Sequence, residues 1–210
     1  MPPFTVLHVC MGNICRSPMA ERLLVLAVRE RLGRLGADPD DVDALLHSHS
    51  AGTGGWHAGE EMNPPAARQV LARGGDVTGF AARKLRSDLI DAADLVLTAT
   101  ADQQEYVVAL RPDAAARTFV LGEFGRLLGA LDTGALPPAE PTPGAVHARG
   151  VALVAAVDAA RQGAGPLHSD DLDDPWGRGD QCFSRVADEI EETVHPLTAT
   201  LLPAPAAPTG

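Results

Sequence analysis

A cysteine and an arginine near the start of the chain have the spacing of a site that could attack and bind a phosphoryl group. The segment reads Cys10-Met11-Gly12-Asn13-Ile14-Cys15-Arg16-Ser17. Gly12 and Asn13 tolerate positive φ. A loop that leads into a helix directs several backbone N–H groups, and the positive end of the helix dipole, toward one point. The segment therefore predicts an oxyanion nest, with the planar guanidinium of Arg16 beside it to bind two oxygens at once.

The same positive field favours a reactive form of Cys10. A helix amino terminus beside an arginine stabilises the thiolate of a cysteine, so we expect Cys10 to be a thiolate at neutral pH. Ser17 can donate a hydrogen bond to that sulfur. A thiolate inside an anion nest is suited to attack on phosphorus. The expected product is a phosphocysteine that is hydrolysed in a second step.

Departure of an alkoxide or phenoxide from phosphorus needs a general acid, and the same carboxylate can then activate water. The candidate carboxylates lie far away in sequence, in the segment DDLDDPWG at 170–177. Pro175 stiffens this loop, and Trp176 provides an aromatic wall beside a carboxylate. The reaction would therefore depend on a fold that brings this segment to Cys10.

The elements that could position these residues alternate between strand and helix. Short apolar runs predict strands, and apolar positions at helical spacing predict helices. Such alternation implies a parallel sheet covered on both faces, with ligands beyond the carboxyl ends of the strands, where Cys10 lies. Ser17 is predicted to cap the first helix and Pro18 to begin it. The predicted strands are 4–9, 45–51, 94–98 and 118–121, and the predicted helices are 18–35, 64–73, 102–110 and 122–128.

Length and composition favour one globular domain. The 210 residues, of which 45% are hydrophobic, suffice for one core. The 21 glycines and 17 prolines exceed average usage, and two stretches hold much of this excess. Residues 132–150 read as a surface insertion, followed by a small helix at 151–161, and residues 203–210 read as a disordered tail. We therefore predict a single domain at 1–202 with a Gly/Pro-rich insertion at about 132–167.

Charge and cysteine usage restrict the partners and the compartment. A net charge of −11 argues against nucleic acid or an anionic membrane as partner. The first residues lack the basic region of a signal peptide, and no apolar run approaches the ~20 residues that span a bilayer. Three cysteines do not form a disulfide framework. We therefore expect a cytoplasmic protein.

Three segments together resemble the low-molecular-weight protein tyrosine phosphatases: VCMGNICRSPMAERL at 9–23, SAGTGGWHAGEEMNP at 50–64 and DDPWG at 173–177. The resemblance covers roughly residues 4–130 and 170–200. It implies a three-layer, flavodoxin-like α/β fold with a four-stranded parallel sheet and helices on both faces. It also implies phosphotyrosine or another aryl phosphate as substrate, a phosphocysteine mechanism without metal or other cofactor, and affinity for phosphate and vanadate-type oxyanions.

The resemblance assigns roles by position. Cys10 is the nucleophile, Arg16 binds phosphate and Asp174, directly before Pro175, is the general acid, with Asp173 as the fallback. Further residues are expected to bind substrate or shape its pocket. These are the loop residues Met11, Gly12, Asn13, Ile14, Cys15 and Ser17, of which Ser17 supports the thiolate and Asn13 holds the loop in shape, and the pocket walls Trp56 and Trp176, together with Met11.

Some features depart from the family or stay open. Phe80 stands where the family often has histidine. After Pro175, this chain has Trp176 followed by glycine in place of two adjacent tyrosines. Cys15 either fills the loop or forms a protective disulfide with Cys10 under oxidation. His47 and His49 lie on one face of a strand, but without a third ligand nearby we expect no metal site.

Three other functions compete with phosphotyrosine hydrolysis. A phosphatase of a small phosphorylated metabolite would use the same chemistry, and the unusual insertion motivates it. An arsenate reductase would use the same loop but would need Cys182 as its relay thiol. A phosphate-binding module without activity would not need the complete set of Cys10, Arg16, Ser17 and Asp174.

Overall fold

The computed structural model describes residues 2–138 and 140–204. Its strands are β1 (Phe4–Cys10), β2 (Leu46–Gly52), β3 (Leu95–Thr98) and β4 (Thr118–Val120). They form one parallel sheet in the order β2-β1-β3-β4. Each strand agrees with a predicted strand to within one residue at either end. The predicted α/β fold with a four-stranded parallel sheet is therefore confirmed.

Helices follow or connect the strands along the described chain. Short 3₁₀ turns occur at 39–41, 112–117, 133–135 and 168–170. The helices are α1 (Arg16–Arg34), α2 (Val42–Leu45), α3 (Pro64–Ala72), α4 (Ser87–Asp91), α5 (Ala101–Leu110), α6 (Leu121–Gly129), α7 (Pro143–Arg161) and α8 (Asp180–Leu201).

The sheet separates two apolar cores because side chains alternate between its faces. Along β1, Phe4 and Val6 belong to the larger core, which includes residues of α1, α6 and α8. Leu7 and Val9 belong to a smaller core with residues of α4 and α5. Helices therefore cover both faces, as the three-layer prediction requires.

The loop between β1 and α1 lies at the carboxyl edge of the sheet. Cys10 ends β1 opposite Gly52 at the end of β2, and Val9 pairs with Thr98 at the end of β3. The prediction that Ser17 caps α1 is wrong. Cys15 holds the N-cap position without a side-chain cap, and the Ser17 hydroxyl, inside the helix, bonds to Cys10 instead. Within the described residues, the N–H groups at the start of α1 therefore have no side-chain cap as their acceptor.

Helix α7 crosses the opposite, amino-terminal edge of the sheet. It begins at Pro143 rather than at the predicted residue 151. The prediction that 132–150 lies on the surface is therefore wrong for its second half, which packs into the core. Gly150 sits against Phe4 so closely that a Cβ there would lie 2.5 Å from the ring. Arg161 donates to the backbone oxygen of Thr118, the first residue of β4 (3.1 Å).

Two sequence expectations concern the ends of the chain and the membrane. Of the tail predicted at 203–210, residues 205–210 lie outside the described residues. Among the described helices, none combines the length and the apolar character needed to cross a bilayer.

Candidate active site

The phosphate loop, residues 10–17, surrounds the sulfur of Cys10 with hydrogen-bonding groups. Cys10 is 2% exposed at the end of β1. Its Sγ lies 3.0 Å from the Ser17 hydroxyl and accepts the backbone N–H of Asn13 at 3.3 Å. Both contacts stabilise a negative charge on sulfur. The structure thus places the Ser17 hydroxyl beside the Cys10 sulfur, a contact that the predicted role of Ser17 requires.

Asn13 joins the phosphate loop to two neighbouring segments. Its φ is 56°, a left-handed conformation that asparagine adopts more readily than most residues. Its Nδ2 donates to Ser17 Oγ (3.0 Å) and to Ser50 Oγ (2.8 Å), and its Oδ1 accepts the N–H of Arg83 (2.8 Å). These three bonds fix the side chain from three directions and hold the loop in its turn.

Ser50 and Glu21 extend this network and were missed as site residues in the sequence. The Ser50 hydroxyl, fully buried on β2, donates to Glu21 Oε2 at 2.6 Å. Burial raises the pKa of the Glu21 carboxyl, although the hydrogen bond from Ser50 and the charge of Arg22 oppose the shift. One signal was available: Glu21 follows Ser17 by one helical turn, so both lie on the same face of α1.

Arg16 connects the phosphate loop to the distant acidic segment. Its side chain is 5% exposed; one terminal nitrogen donates to the Leu172 carbonyl at 3.2 Å, and the other lies 3.2 Å from Asp174 Oδ2. Within the described residues, its Nε has no hydrogen-bond partner. The guanidinium therefore keeps donor capacity for an anion.

Backbone donors add to that capacity. Within 2–138 and 140–204, five residues of the phosphate loop donate to no protein acceptor through their backbone N–H groups, and all five line one cavity. Unsatisfied N–H groups at a helix start form a site for an oxyanion. The residues concerned are Met11, Gly12, Ile14, Cys15 and Arg16.

The acid loop, residues 170–176, is anchored at its start by two aspartates. Asp170 is 5% exposed and accepts two hydrogen bonds from Arg126 at 3.0 and 2.7 Å. Asp171 accepts the N–H of Ala101, the first residue of α5, at 2.8 Å. Neither carboxylate lines the cavity. Both therefore anchor the loop and lie outside the cavity that Cys10 lines.

Asp174 and Asp173 point to different partners. Asp174 lines the cavity beside Cys10 and Arg16. Asp173 instead pairs with Arg178 and with Arg185 on α8. The structure thus supports Asp174, rather than the fallback Asp173, as the carboxylate next to the cysteine.

The cavity above Cys10 has a volume of about 250 Å³. Met11, Trp56 and Trp176 line it and are 49%, 72% and 65% exposed. All three were expected as pocket walls. His57 also lines the cavity and was missed in the sequence; its ring lies so near Gly12 that a Cβ there would be 3.1 Å away.

Cys15 shares the cavity with Cys10, and both are free thiols in this structure. Burial, together with the neighbouring Cys10 and Asp174, raises the pKa of the Cys15 thiol to about 12. Cys15 is therefore a protonated thiol at neutral pH. Whether the two cysteines pair under oxidation stays a prediction.

Metal ligands are not clustered in the described part of the chain, where no group of three or more His, Cys, Asp or Glu side chains could hold an ion. His47 and His49 stack with ring centroids 4.9 Å apart. Phe80, at the position where the resemblance would favour histidine, is buried. The Arg22 guanidinium carbon lies over the Phe80 ring, 5.9 Å from the ring centre.

Comparison with known proteins identifies relatives of most of the chain. Residues 5–135 match the family model for low molecular weight phosphotyrosine protein phosphatases. A low molecular weight protein-tyrosine-phosphatase of Streptomyces coelicolor is 38% identical over 109 residues, which are 52% of this chain and 60% of the relative. The corresponding protein of Acinetobacter johnsonii is 34% identical over 119 residues, 57% of this chain and 72% of the relative. The match thus spans less than two thirds of the first relative.

Solved structures support the fold. YwlE of Bacillus subtilis, as a mutant, superimposes with a TM-score of 0.62 over 94% of this chain and 98% of that one, at 21% identity. The tyrosine phosphatase Wzb of Escherichia coli K30, in complex with sulphate, gives 0.60 over 94% and 97%, at 21% identity. Both likenesses cover a larger share of this chain than residues 5–135, which the family model matches.

Proposed function

This chain belongs to the low molecular weight phosphotyrosine protein phosphatase family, and on that premise we propose that it hydrolyses phosphotyrosine and related aryl phosphates through a phosphocysteine on Cys10. The observation that carries the proposal is the meeting of three groups in one cavity. Cys10, Arg16 and Asp174 line it together, although Asp174 is 164 positions from Cys10 in the sequence. Each supplies a different part of phosphoryl transfer.

Binding comes first. The free N–H groups of the phosphate loop and the guanidinium of Arg16 donate hydrogen bonds to the non-bridging oxygens of the phosphate. The flat ring of the substrate then lies between Trp56 and Trp176. We expect a phenyl ring to reach from these walls to the loop, whereas the shorter side chain of phosphoserine would not bring its phosphorus to the sulfur.

The first chemical step forms the phosphoenzyme. The Cys10 thiolate attacks phosphorus, so an S–P bond forms and the P–O bond to the leaving phenol breaks. Asp174, as the protonated acid, gives its proton to the departing oxygen. The loop N–H groups and Arg16 stabilise the charge on the three equatorial oxygens in the transition state.

The second step returns the enzyme. Asp174, now a carboxylate, takes a proton from a water molecule that attacks phosphorus. The S–P bond breaks, inorganic phosphate leaves, and Cys10 is again a thiolate that the Ser17 hydroxyl stabilises at 3.0 Å. Protein N–H groups stabilise the negative charge of the phosphoryl group in both steps. We therefore expect turnover without added metal, and we expect vanadate to inhibit the enzyme.

The cellular setting follows from the thiolate. A reactive cysteine beside a second thiol needs a reducing compartment, which supports a cytoplasmic location. Among the competing functions, arsenate reduction lacks support because Cys182, the required relay, is not among the residues that line the cavity. Whether the substrate is a protein or a small aryl phosphate is decided by kinetics on both.

The test is the substitution Cys10→Ser, with Cys182→Ser as the matched control outside the cavity. We expect Cys10→Ser to abolish hydrolysis of p-nitrophenyl phosphate and of a phosphotyrosine peptide, while Cys182→Ser retains wild-type rates. Undiminished activity of Cys10→Ser contradicts the proposal. A strong preference of the wild-type protein for sugar phosphates would instead replace the substrate class and leave the mechanism in place.

A further inference from the structure

A buried histidine directly behind the phosphate loop has a tautomer that the structure determines. His8 lies on β1, two residues before Cys10, and is 1% exposed. Its Nε2 is 3.2 Å from the Ser48 hydroxyl, which in turn donates its single proton to the backbone oxygen of Glu21 at 3.0 Å. The Ser48 oxygen must therefore accept from His8. It follows that Nε2 carries the hydrogen and that Nδ1 presents a lone pair.

The neutral form fits this arrangement. Burial, with a smaller contribution from His49, lowers the pKa of His8 to about 3. His8 is thus uncharged over the whole range in which the enzyme would operate. Within the described residues, its Nδ1 has no hydrogen-bond partner, and a buried acceptor of this kind costs free energy unless a donor reaches it.

His8 is one of the residues that line a small cavity. Its volume is about 10 Å³, roughly the space that one water molecule needs. All of its lining residues are buried. They include His8, Arg16 and Leu172, so the cavity joins the strand, the phosphate-binding arginine and the acid loop.

Arg16 can supply the missing donor. Its terminal nitrogen Nη1 donates one hydrogen to the carbonyl of Leu172, a residue that lines the same cavity. A terminal guanidinium nitrogen carries two hydrogens. The second hydrogen of Nη1 therefore remains available for another acceptor, while Nη2 lies toward Asp174.

We propose that one water molecule occupies this cavity, accepts a hydrogen bond from the Arg16 guanidinium and donates one to His8 Nδ1. His8 is then a positioning residue: it fixes the orientation of the guanidinium before phosphate arrives. Fixing a donor in advance lowers the cost of binding an oxyanion and its transition state. Only the kinetic consequence rests on the proposed phosphatase function; the water and the tautomer do not.

The direct test uses the wild-type protein. A high-resolution crystal structure should show an ordered water within about 2.7–3.2 Å of His8 Nδ1 and of an Arg16 nitrogen. Nitrogen-15 NMR should show His8 as the Nε2–H tautomer at pH 7. An empty cavity, or a hydrogen on Nδ1, overturns the proposal whether or not the protein is a phosphatase.

Three variants test the role in positioning. His8→Phe keeps the ring shape but removes the acceptor, and His8→Asn retains a polar atom near the place of Nδ1. His49→Phe is the matched control, because His49 is also buried but lies on the other face of the sheet, outside the cavity. The readout is calorimetric binding of inorganic phosphate, which needs no turnover, together with unfolding temperature and kcat/KM.

We expect His8→Phe to weaken phosphate binding about fivefold, the equivalent of one typical hydrogen bond. His8→Asn should recover much of this loss, and His49→Phe should bind phosphate as the wild type does. Equal weakening in His8→Phe and His49→Phe shows a general structural effect and contradicts the positioning role. Unchanged binding in His8→Phe contradicts it as well.

Discussion

The phosphate loop and the acid loop meet in one cavity but are held in different ways. The phosphate loop is contiguous and, apart from Met11 and Gly12, buried. Much of its bonding is internal, as in the contacts of Cys10 and Asn13 with Ser17. The acid loop takes its position from distant partners such as Arg126 and Arg16, and its Asp174 side chain is 52% exposed. The first loop suits fixed charge stabilisation, whereas the second suits a proton donor that exchanges with water.

Asp174→Asn gives the largest effect expected within this comparison. The variant keeps the shape of the side chain but cannot deliver a proton, so kcat should fall about 10²–10⁴-fold, the usual range for a general acid. The loss should be greater for phosphotyrosine than for p-nitrophenyl phosphate, whose phenolate leaves without protonation. Steady-state kinetics on both substrates measures this difference.

Asp173→Asn is the matched control, because this neighbouring aspartate pairs with Arg178 and Arg185 instead of lining the cavity. Its kcat should stay near the wild-type value. If both variants lost activity equally, the distinction between the two aspartates would be wrong.

Asp170→Asn should have an intermediate effect, because it loosens the acid loop without touching substrate. Losing its charged bonds to Arg126 should cost about 1–3 kcal/mol of unfolding free energy and lower kcat less than Asp174→Asn does. Burial alone would raise the pKa of Asp170, but hydrogen bonds from Arg126 and the Leu167 N–H outweigh it, and the pKa is lowered.

The sign of that shift gives a pH dependence. A lowered folded-state pKa stabilises the protein above the unfolded value of roughly 3.9, and this stabilisation is lost as pH falls through the folded value. In urea unfolding, Asp170→Asn should therefore have a lower free energy of unfolding than the wild type at pH 7. This difference should become progressively smaller below pH ~4. Asp113→Asn, at an exposed ion pair with Arg111, serves as the control. An equal destabilisation in this variant would show that Asp170 stabilises the protein no more than an exposed aspartate does.

Gly150→Ala should have the smallest effect on activity, because α7 lies at the edge of the sheet opposite both loops. Its added Cβ would meet the Phe4 ring at 2.5 Å, and overpacking of this kind costs about 1–3 kcal/mol. Thermal unfolding should show the loss while kcat/KM stays unchanged. Gly129→Ala, where a Cβ meets nothing within 4 Å, is the control. A fall in kcat/KM for Gly150→Ala would show that packing at the amino-terminal edge of the sheet affects the active site, and would contradict this prediction.

The sequence was sufficient for the sheet and for the phosphate loop because both are encoded locally. Apolar runs marked all four strands, and the order of residues from Cys10 to Ser17 specified the turn. The N-cap was mispredicted because Ser17 has a closer partner in the Cys10 sulfur than in its own backbone. That preference arises from the tertiary placement of the loop, which local propensity does not contain.

Long-range contacts account for what the sequence did not show. Glu21 reads as an ordinary helical glutamate until Ser50 on β2 is brought to 2.6 Å from it. The choice between Asp173 and Asp174 depends on Arg185 in α8. The burial of 143–150 depends on the sheet edge beneath α7, so its glycine and proline content indicated a loop where a core helix forms.

A rapid-quench experiment tests the central claim most directly. Wild-type protein is mixed with excess p-nitrophenyl phosphate, quenched in acid within the first turnover, digested and analysed by mass spectrometry. The account predicts a phosphoryl adduct on the peptide that contains Cys10, formed with the burst of phenol release and lost as inorganic phosphate appears. Turnover without an adduct, or with the adduct on another residue, would contradict it.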